Sequence, residues 1–271
     1  MIKVCVLRIE GTNCEEEMRQ AFIESGAQAE HVHLKQLTGD VPGDLIRKLS
    51  DYDVLAFPGG WSAGDYVRAG AIFAARIKSK LRKEVEHFVK EGKPVLGVCN
   101  GFQILVELGL LPGFKGMSEY PEAVLATNIN SNFQCRPVYL KHVKACSLTR
   151  KVEKDAVLHM PIAHGEGRLN FGDKNDECLK RLKDNNQIVF RYCMSDGEDA
   201  EGVFPWNPNG SLYDIAGICN PPGNVSGMMP HPERVIHKYT HADWTRRAFF
   251  EPGDGKAVFD SIVAYVKKGA R

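Results

Sequence analysis

The sequence predicts an α/β fold in three layers: a mostly parallel central sheet with helices on both faces and added antiparallel strands. Strand-like apolar runs alternate with helix-period segments as far as Leu111, the order that gives parallel sheets. Those runs are apolar on both sides, as strands covered on both faces must be. From about residue 123 short strand-like runs follow one another without intervening helices, which adds antiparallel strands.

Taken in order, "IKVCVLRI" (2–9) reads as a buried strand rich in β-branched residues. Asn13 then stands three residues before Glu16, the capping-box spacing, which predicts a helix to about Ser25 stopped by Gly26. "AEHVHL" is a second strand, and "DVLAFPGG" (53–60) a third that breaks at Pro58-Gly59-Gly60. An amphipathic helix covers roughly Ile72–Lys90 and is closed by Gly92. "PVLGV" (94–98) is a strand and "GFQILVELGLL" a helix. "AVLATNIN", "CRPVYLKH", "AVLHMPIAH", "QIVFRYC" and "DIAGICN" are the later strands, and "GKAVFDSIVAYVKKG" is a closing helix. No linker-like stretch interrupts the chain, so residues 1–271 are expected to form one domain, with 236–271 an extended tail and closing helix.

The 271 residues carry 35 basic and 34 acidic side chains, a balance that gives no reason to expect nucleic acid or an anionic membrane surface as partner. The N-terminus lacks a signal-peptide design, and no stretch is long and apolar enough to span a bilayer. The eight cysteines stand singly, without a C-x-x-C pair; Cys5, Cys193 and Cys219 sit in apolar runs, as reduced core thiols do. A cytoplasmic, reduced protein is expected.

One cysteine stands apart. In "GVCNGFQIL", Cys99 lies where a buried strand meets a helix, with Gly101 two residues on: a nucleophile-elbow layout. Such a bend presents the sulfur at the carboxyl edge of the sheet, near the first N–H groups of a helix, where the thiolate is favoured. A nucleophile needs a base, and the base an orienting group. In "GMMPHPERV", His231 lies between two prolines, which rigidify an extended loop, and Glu233 follows two positions on. The third piece is "FPGGWSAGDY", whose Gly59-Gly60 exposes backbone N–H groups; that of Gly60, with that of Asn100, suits a developing oxyanion. Each piece alone has an ordinary structural reading as a core thiol, a chance His–Glu pair or a tight turn; all three are expected at strand ends.

P-G-G after a strand, G-x-C-x-G-x-Q at an elbow and a late H-P-E resemble the class I glutamine amidotransferases, a flavodoxin-like family. "PGGWSAGDYVRAGAI", "GVCNGFQIL", "NSNFQCR", "PIAHGEGR" and "MMPHPERV" are similar to a subgroup that serves purine biosynthesis, over roughly residues 1 to 236. The resemblance implies that Cys99 attacks the side-chain amide of glutamine, releasing ammonia and leaving a thioester that water hydrolyses. His231 would shuttle the proton, Glu233 orient it, and Gly60 and Asn100 supply the oxyanion amides. Gly59, Gln103, Asn132 and Phe133 would contact substrate, with His164, Gly165 and Glu166 shaping the pocket or a face toward a synthase. It implies no cofactor or metal in this chain, and a separate ATP- and magnesium-dependent synthase subunit with a small accessory subunit as partners. Consistent with that division, no P-loop "GxxxxGK[ST]" is present. The tail after Arg234 is longer than the resemblance predicts; its His237 and His241 have i,i+4 spacing, but no third metal ligand accompanies them. Alternatives at this stage are the glutaminase of a different synthase, a cysteine peptidase or other cysteine hydrolase on a similar sheet, and an inactive scaffold.

Overall fold

A computed structural model describes residues 1–246, 248 and 250–269. Nine strands form one sheet in the order β2-β1-β3-β4-β11-β10-β9-β6-β7. The strands β1 (Lys3–Arg8), β2 (Gln28–His33), β3 (Val54–Phe57), β4 (Val95–Val98) and β11 (Val225–Met228) run parallel. Beyond β11 the ladder becomes antiparallel through β10 (Ile215–Cys219), β9 (Ile188–Cys193), β6 (Gln134–His142) and β7 (Val157–His164). A separate two-stranded sheet pairs β5 (Val124–Thr127) with β8 (Glu166–Asn170).

The expected α/β class is the observed one. β1 leads through α1 (Glu15–Glu24) to β2, while β3 leads through α3 (Ala71–Lys90) to β4 in the opposite direction along the sheet. Right-handed crossovers in opposite directions put those helices on opposite faces. The short α2 (Leu34–Thr38) and α4 (Asn100–Glu107) pack against α3, whereas α6 (Lys256–Lys267) packs against α1. Phe22 and Phe259 meet edge to face at 5.0 Å across that last contact, worth about 1 kcal/mol beyond their burial. The strands β3, β4, β9, β10 and β11 are buried throughout, which is why their sequences carry no alternation.

Several local expectations are corrected. The first helix has Cys14, not Asn13, at its cap, with no side-chain capping bond. Glu16 is drawn instead to Arg19, Gln20 and His31, while the Asn13 and Cys14 N–H groups both donate to the Gly59 carbonyl. The elbow helix ends at Glu107, short of the full "GFQILVELGLL" run, because Gly109 turns the chain at φ +76°. "AVLATNIN" joins the small sheet rather than the large one. Neither β11, built from Val-Ser-Gly-Met, nor α5 (Asn175–Asp184) was expected. His237 and His241 flank a single 3-10 turn and diverge: His237 pairs with Glu24 and Glu251, and His241 stacks on His159.

Candidate active site

The site is assembled at the carboxyl ends of β1, β3, β4 and β11, beside the point where the crossovers change direction. Cys99 occupies the bend between β4 and α4 with φ +53° and ψ −110°, a conformation L residues adopt only when their surroundings impose it. The imposition is visible. Its N–H donates to the Met228 carbonyl at the end of β11, and its carbonyl accepts from Phe102 and Gln103 in the first turn of α4. Gly101 lets α4 lie directly on β3, since a Cβ there would fall 1.9 Å from the Phe57 carbonyl oxygen. The sulfur is turned toward the Ala163 carbonyl, 3.6 Å away.

The same β4–β11 ladder delivers the base. Three residues past β11, His231 is extended (φ −102°, ψ 91°) and its N–H donates to the Pro161 carbonyl of β7. Pro232–Arg234 then forms a 3-10 turn, so Glu233 returns beneath the imidazole by a turn and not along an extended chain. His231 Nδ1 and Glu233 Oε1 are 2.6 Å apart, and both residues are buried. The nearby tail braces this turn: a Cβ on Gly255 would stand 1.9 Å from the Pro232 carbonyl oxygen. Burial opposes a charge on His231, but Glu233, Cys99 and Cys14 beside it outweigh burial and raise its pKa well above the ordinary value. The ring's Nε2 has no well-formed hydrogen bond among the described residues and is left to the two neighbouring thiols.

Gly59 is the spacer among these groups. A Cβ on it would stand 2.8 Å from His231 Cε1, 3.2 Å from the Cys14 sulfur and 3.4 Å from Cys99 Cβ, so only glycine fits. Gly60 pairs with Thr12 through bonds made by the Trp61 and Asn13 N–H groups, which leaves the Gly60 N–H outside the ladder. The Asn100 N–H lies in the first turn of α4, where no intrahelical acceptor exists. These are the two amides the oxyanion reading requires.

A cavity of about 230 Å³ opens on the sulfur, lined by Gly60, Trp61, Asp65, Ala69, Gln103, Phe133 and residues 163–166. Phe133 stacks on Trp61 at 6.4 Å to form its apolar wall. Gln103 lines it too, but its amide is engaged by protein: Oε1 accepts from Asn100 Nδ2, and Nε2 donates to the Glu166 carbonyl. Asn132, expected to contact substrate, is not among the residues that line the cavity; its N–H and side-chain amide donate to Asn130 in its own turn. His164 is buried beside the cavity. Burial, with His231 nearby, lowers its pKa to about 3. Asn128 Oδ1 already accepts from the Gly167 N–H and faces His164 Nδ1, so that nitrogen is the donor and Nε2 bears the lone pair.

Two site residues escaped the sequence reading. Asp65 lines the cavity, and Cys14 packs its sulfur 3.1 Å from Arg234 Nη2 beside His231. Asp65 stood inside the quoted "FPGGWSAGDY", and Cys14 four residues after Glu10, but neither position carries a chemical signal of its own. Cys14, His231 and Glu233 bring sulfur, nitrogen and oxygen within 4.8 Å of one another, a donor set that suits zinc. The Arg234 guanidinium against the Cys14 sulfur disfavours a cation there.

A strained cysteine at a strand–helix bend, a buried His–Glu pair and two backbone amides left outside the ladders of the described residues come together as in a cysteine-dependent hydrolase. The CobB/CobQ-like glutamine amidotransferase domain family matches residues 1–266, and the chain belongs to it; the protein is a glutamine amidotransferase. It is 52% identical to the phosphoribosylformylglycinamidine synthase subunit PurQ of Archaeoglobus fulgidus, over 98% of each chain. It is 41% identical to the subunit of the same name from Picrophilus torridus, over 95% of this chain and 96% of that one. Among solved structures, that of PurLQS from Thermotoga maritima superposes with a TM-score of 0.72 at 32% identity, covering 98% of this chain and 99% of the other. Among the described residues, no helix is long and apolar enough to cross a membrane.

Proposed function

We propose that this chain is the glutaminase subunit of phosphoribosylformylglycinamidine synthase, which frees ammonia from glutamine for an ATP-dependent synthase subunit. The observation that carries the reaction class is the meeting of Cys99 with the buried His231–Glu233 pair at a cavity sized for one amino acid. Identity across nearly the whole chain to the Archaeoglobus subunit supports the choice of synthase.

In this reading the Cys99 sulfur, its proton resting on His231, attacks the side-chain carbonyl carbon of glutamine. The developing oxyanion takes hydrogen bonds from the Gly60 and Asn100 N–H groups. His231, held protonated by Glu233, gives its proton to the amide nitrogen, so the C–N bond breaks and ammonia leaves behind a thioester. Water then yields a proton to His231 and attacks the thioester; the C–S bond breaks, releasing glutamate and returning the sulfur to its place beside the protonated His231. His164 has no proton to give to ammonia near neutral pH, and only neutral ammonia remains a nucleophile.

The partners follow from this division. ATP and magnesium act on the synthase subunit, and a small accessory subunit completes the complex, with no nucleic acid, membrane or resident cofactor involved. Residues 1–271 act as one amidotransferase unit in the cytoplasm, weakly active alone and fully active when docked. The test is a Cys99→Ala complex assayed with formylglycinamide ribonucleotide. Glutamine-dependent synthesis should vanish while ammonia-dependent synthesis persists; loss of both would overturn the reading.

A further inference from the structure

We infer that Asp65, seconded by Glu166, anchors the α-ammonium group of the substrate and so selects an α-amino acid over a simple carboxamide. This rests on the glutaminase reading above and extends it to a residue whose position gave no signal in the sequence.

The cavity has a one-sided charge. Asp65 and Glu166 supply its carboxylates, and among the described residues no lysine or arginine lines it. Arg68 grips Glu107 with two bonds of 2.6 Å and acts on Glu166 only through space, which leaves Asp65 with no cationic partner among the described residues. A cavity with this lining is complementary to a cation, and glutamine brings one in its α-ammonium. The alternative view, that the carboxylates merely hold the loop together, leaves the charge of Asp65 unbalanced. Its partners are neutral donors, Asn100 Nδ2 at 3.2 Å and the Gly70 N–H. Burial, together with Glu166, raises its pKa above the ordinary carboxylate value, so an incoming ammonium would relieve an unfavourable pair of like charges.

The placement of Asp65 is also enforced. It has φ +50°, in a loop where Ala63 and Gly64 share the left-handed conformation. Asn100, the residue after the nucleophile, sews that loop to the elbow: its Oδ1 accepts from the Ser62 N–H and hydroxyl, and its Nδ2 reaches Asp65. Glu166 is set by two more bonds, from the Ala69 N–H to its carboxylate and from Gln103 to its carbonyl. Thus the reacting sulfur and the anionic wall are one side chain apart, and Gln103 acts as a positioning residue for that wall.

The test compares L-glutamine with 4-carbamoylbutanoate, the same carboxamide chain without the amino group, as substrates of the assembled enzyme. A charge-assisted hydrogen bond in a secluded site is worth roughly 10- to 100-fold in binding, so Asp65→Asn should raise KM for glutamine by that factor and leave kcat within about threefold. Hydrolysis of 4-carbamoylbutanoate should be unchanged, so the preference for glutamine collapses. Glu166→Gln, which keeps the bond from Ala69, should reduce the preference about tenfold and carries the test if Asp65→Asn fails to fold. Equal losses on both substrates, or an undiminished preference in either folded variant, would overturn the assignment. A wild-type complex that hydrolyses neither amide would instead overturn the glutaminase reading itself.

Discussion

His231 Nδ1 lies 2.6 Å from Glu233 Oε1, and the two side chains are almost wholly shut off from water. The pair therefore acts as a unit, in which Glu233 sets both the orientation of the ring and its charge. Glu233→Gln should lower glutaminase kcat by about 10⁴-fold, by analogy with loss of an orienting carboxylate in other triads. Because Glu233 raises the His231 pKa, the alkaline limb of the pH–rate profile, where the imidazolium loses its proton, should move to lower pH in the variant. A limb that stays in place would assign it to another group.

Cys14 is expected to contribute in the same direction and less strongly, since its sulfur also raises the His231 pKa. Cys14→Ala should shift the alkaline limb downward by less than Glu233→Gln does, and labelling of Cys99 by a glutamine-like electrophile should persist. If labelling is lost, Cys14 serves the nucleophile directly.

Gly101→Ala tests the packing of the elbow. The added methyl would fall 1.9 Å from a strand carbonyl, which neither α4 nor β3 can vacate cheaply, so a loss of about 3 kcal/mol or failure to fold is expected. Gly165→Ala is the control: its nearest neighbour would be Phe133 at 3.8 Å, so the unfolding midpoint should hold while KM for glutamine rises as the cavity narrows. Denaturant titration of both variants checks this.

His164 predicts an acid sensitivity. Its folded pKa is depressed to about 3, so between that value and 6.5 only the unfolded chain takes up a proton. Stability must therefore rise with pH through this window and fall on acidification, by about 1.4 kcal/mol per pH unit for this one group. His164→Gln should flatten the slope by that amount, measured as urea midpoints between pH 4.5 and 6.5. His142, His159 and His241 are depressed in the same sense and should leave a residual slope.

The elements that carry chemistry were legible because their sequence signals are local. Cys99 at a strand–helix bend, Gly59-Gly60 after a buried strand and His231 between prolines each announce a backbone constraint in a few residues. What escaped was set by distant partners. Val225–Met228 is too short and too rich in small residues to read as a strand, yet pairing with β4 makes it one. The Asn13–Glu16 spacing promised a cap, but Gly59 took the backbone donors and Arg19 took the carboxylate. The position of Asn132 was not legible from its motif either, because its side chain is held within its own turn, on the Asn130 carbonyl. The segment 236–256 offered no role in sequence; in space it returns beneath the Pro232–Arg234 turn, although Arg247 and Phe249 lie outside the described residues.

Cys99 and His231 stand at the ends of adjacent strands, β4 and β11, whose sequences lie more than a hundred residues apart. During synthesis, Cys99 leaves the ribosome long before the strand that brings His231. A growing chain accordingly holds Cys99 without the His231–Glu233 pair, which reaches it only once Val225–Met228 has slotted in beside β4.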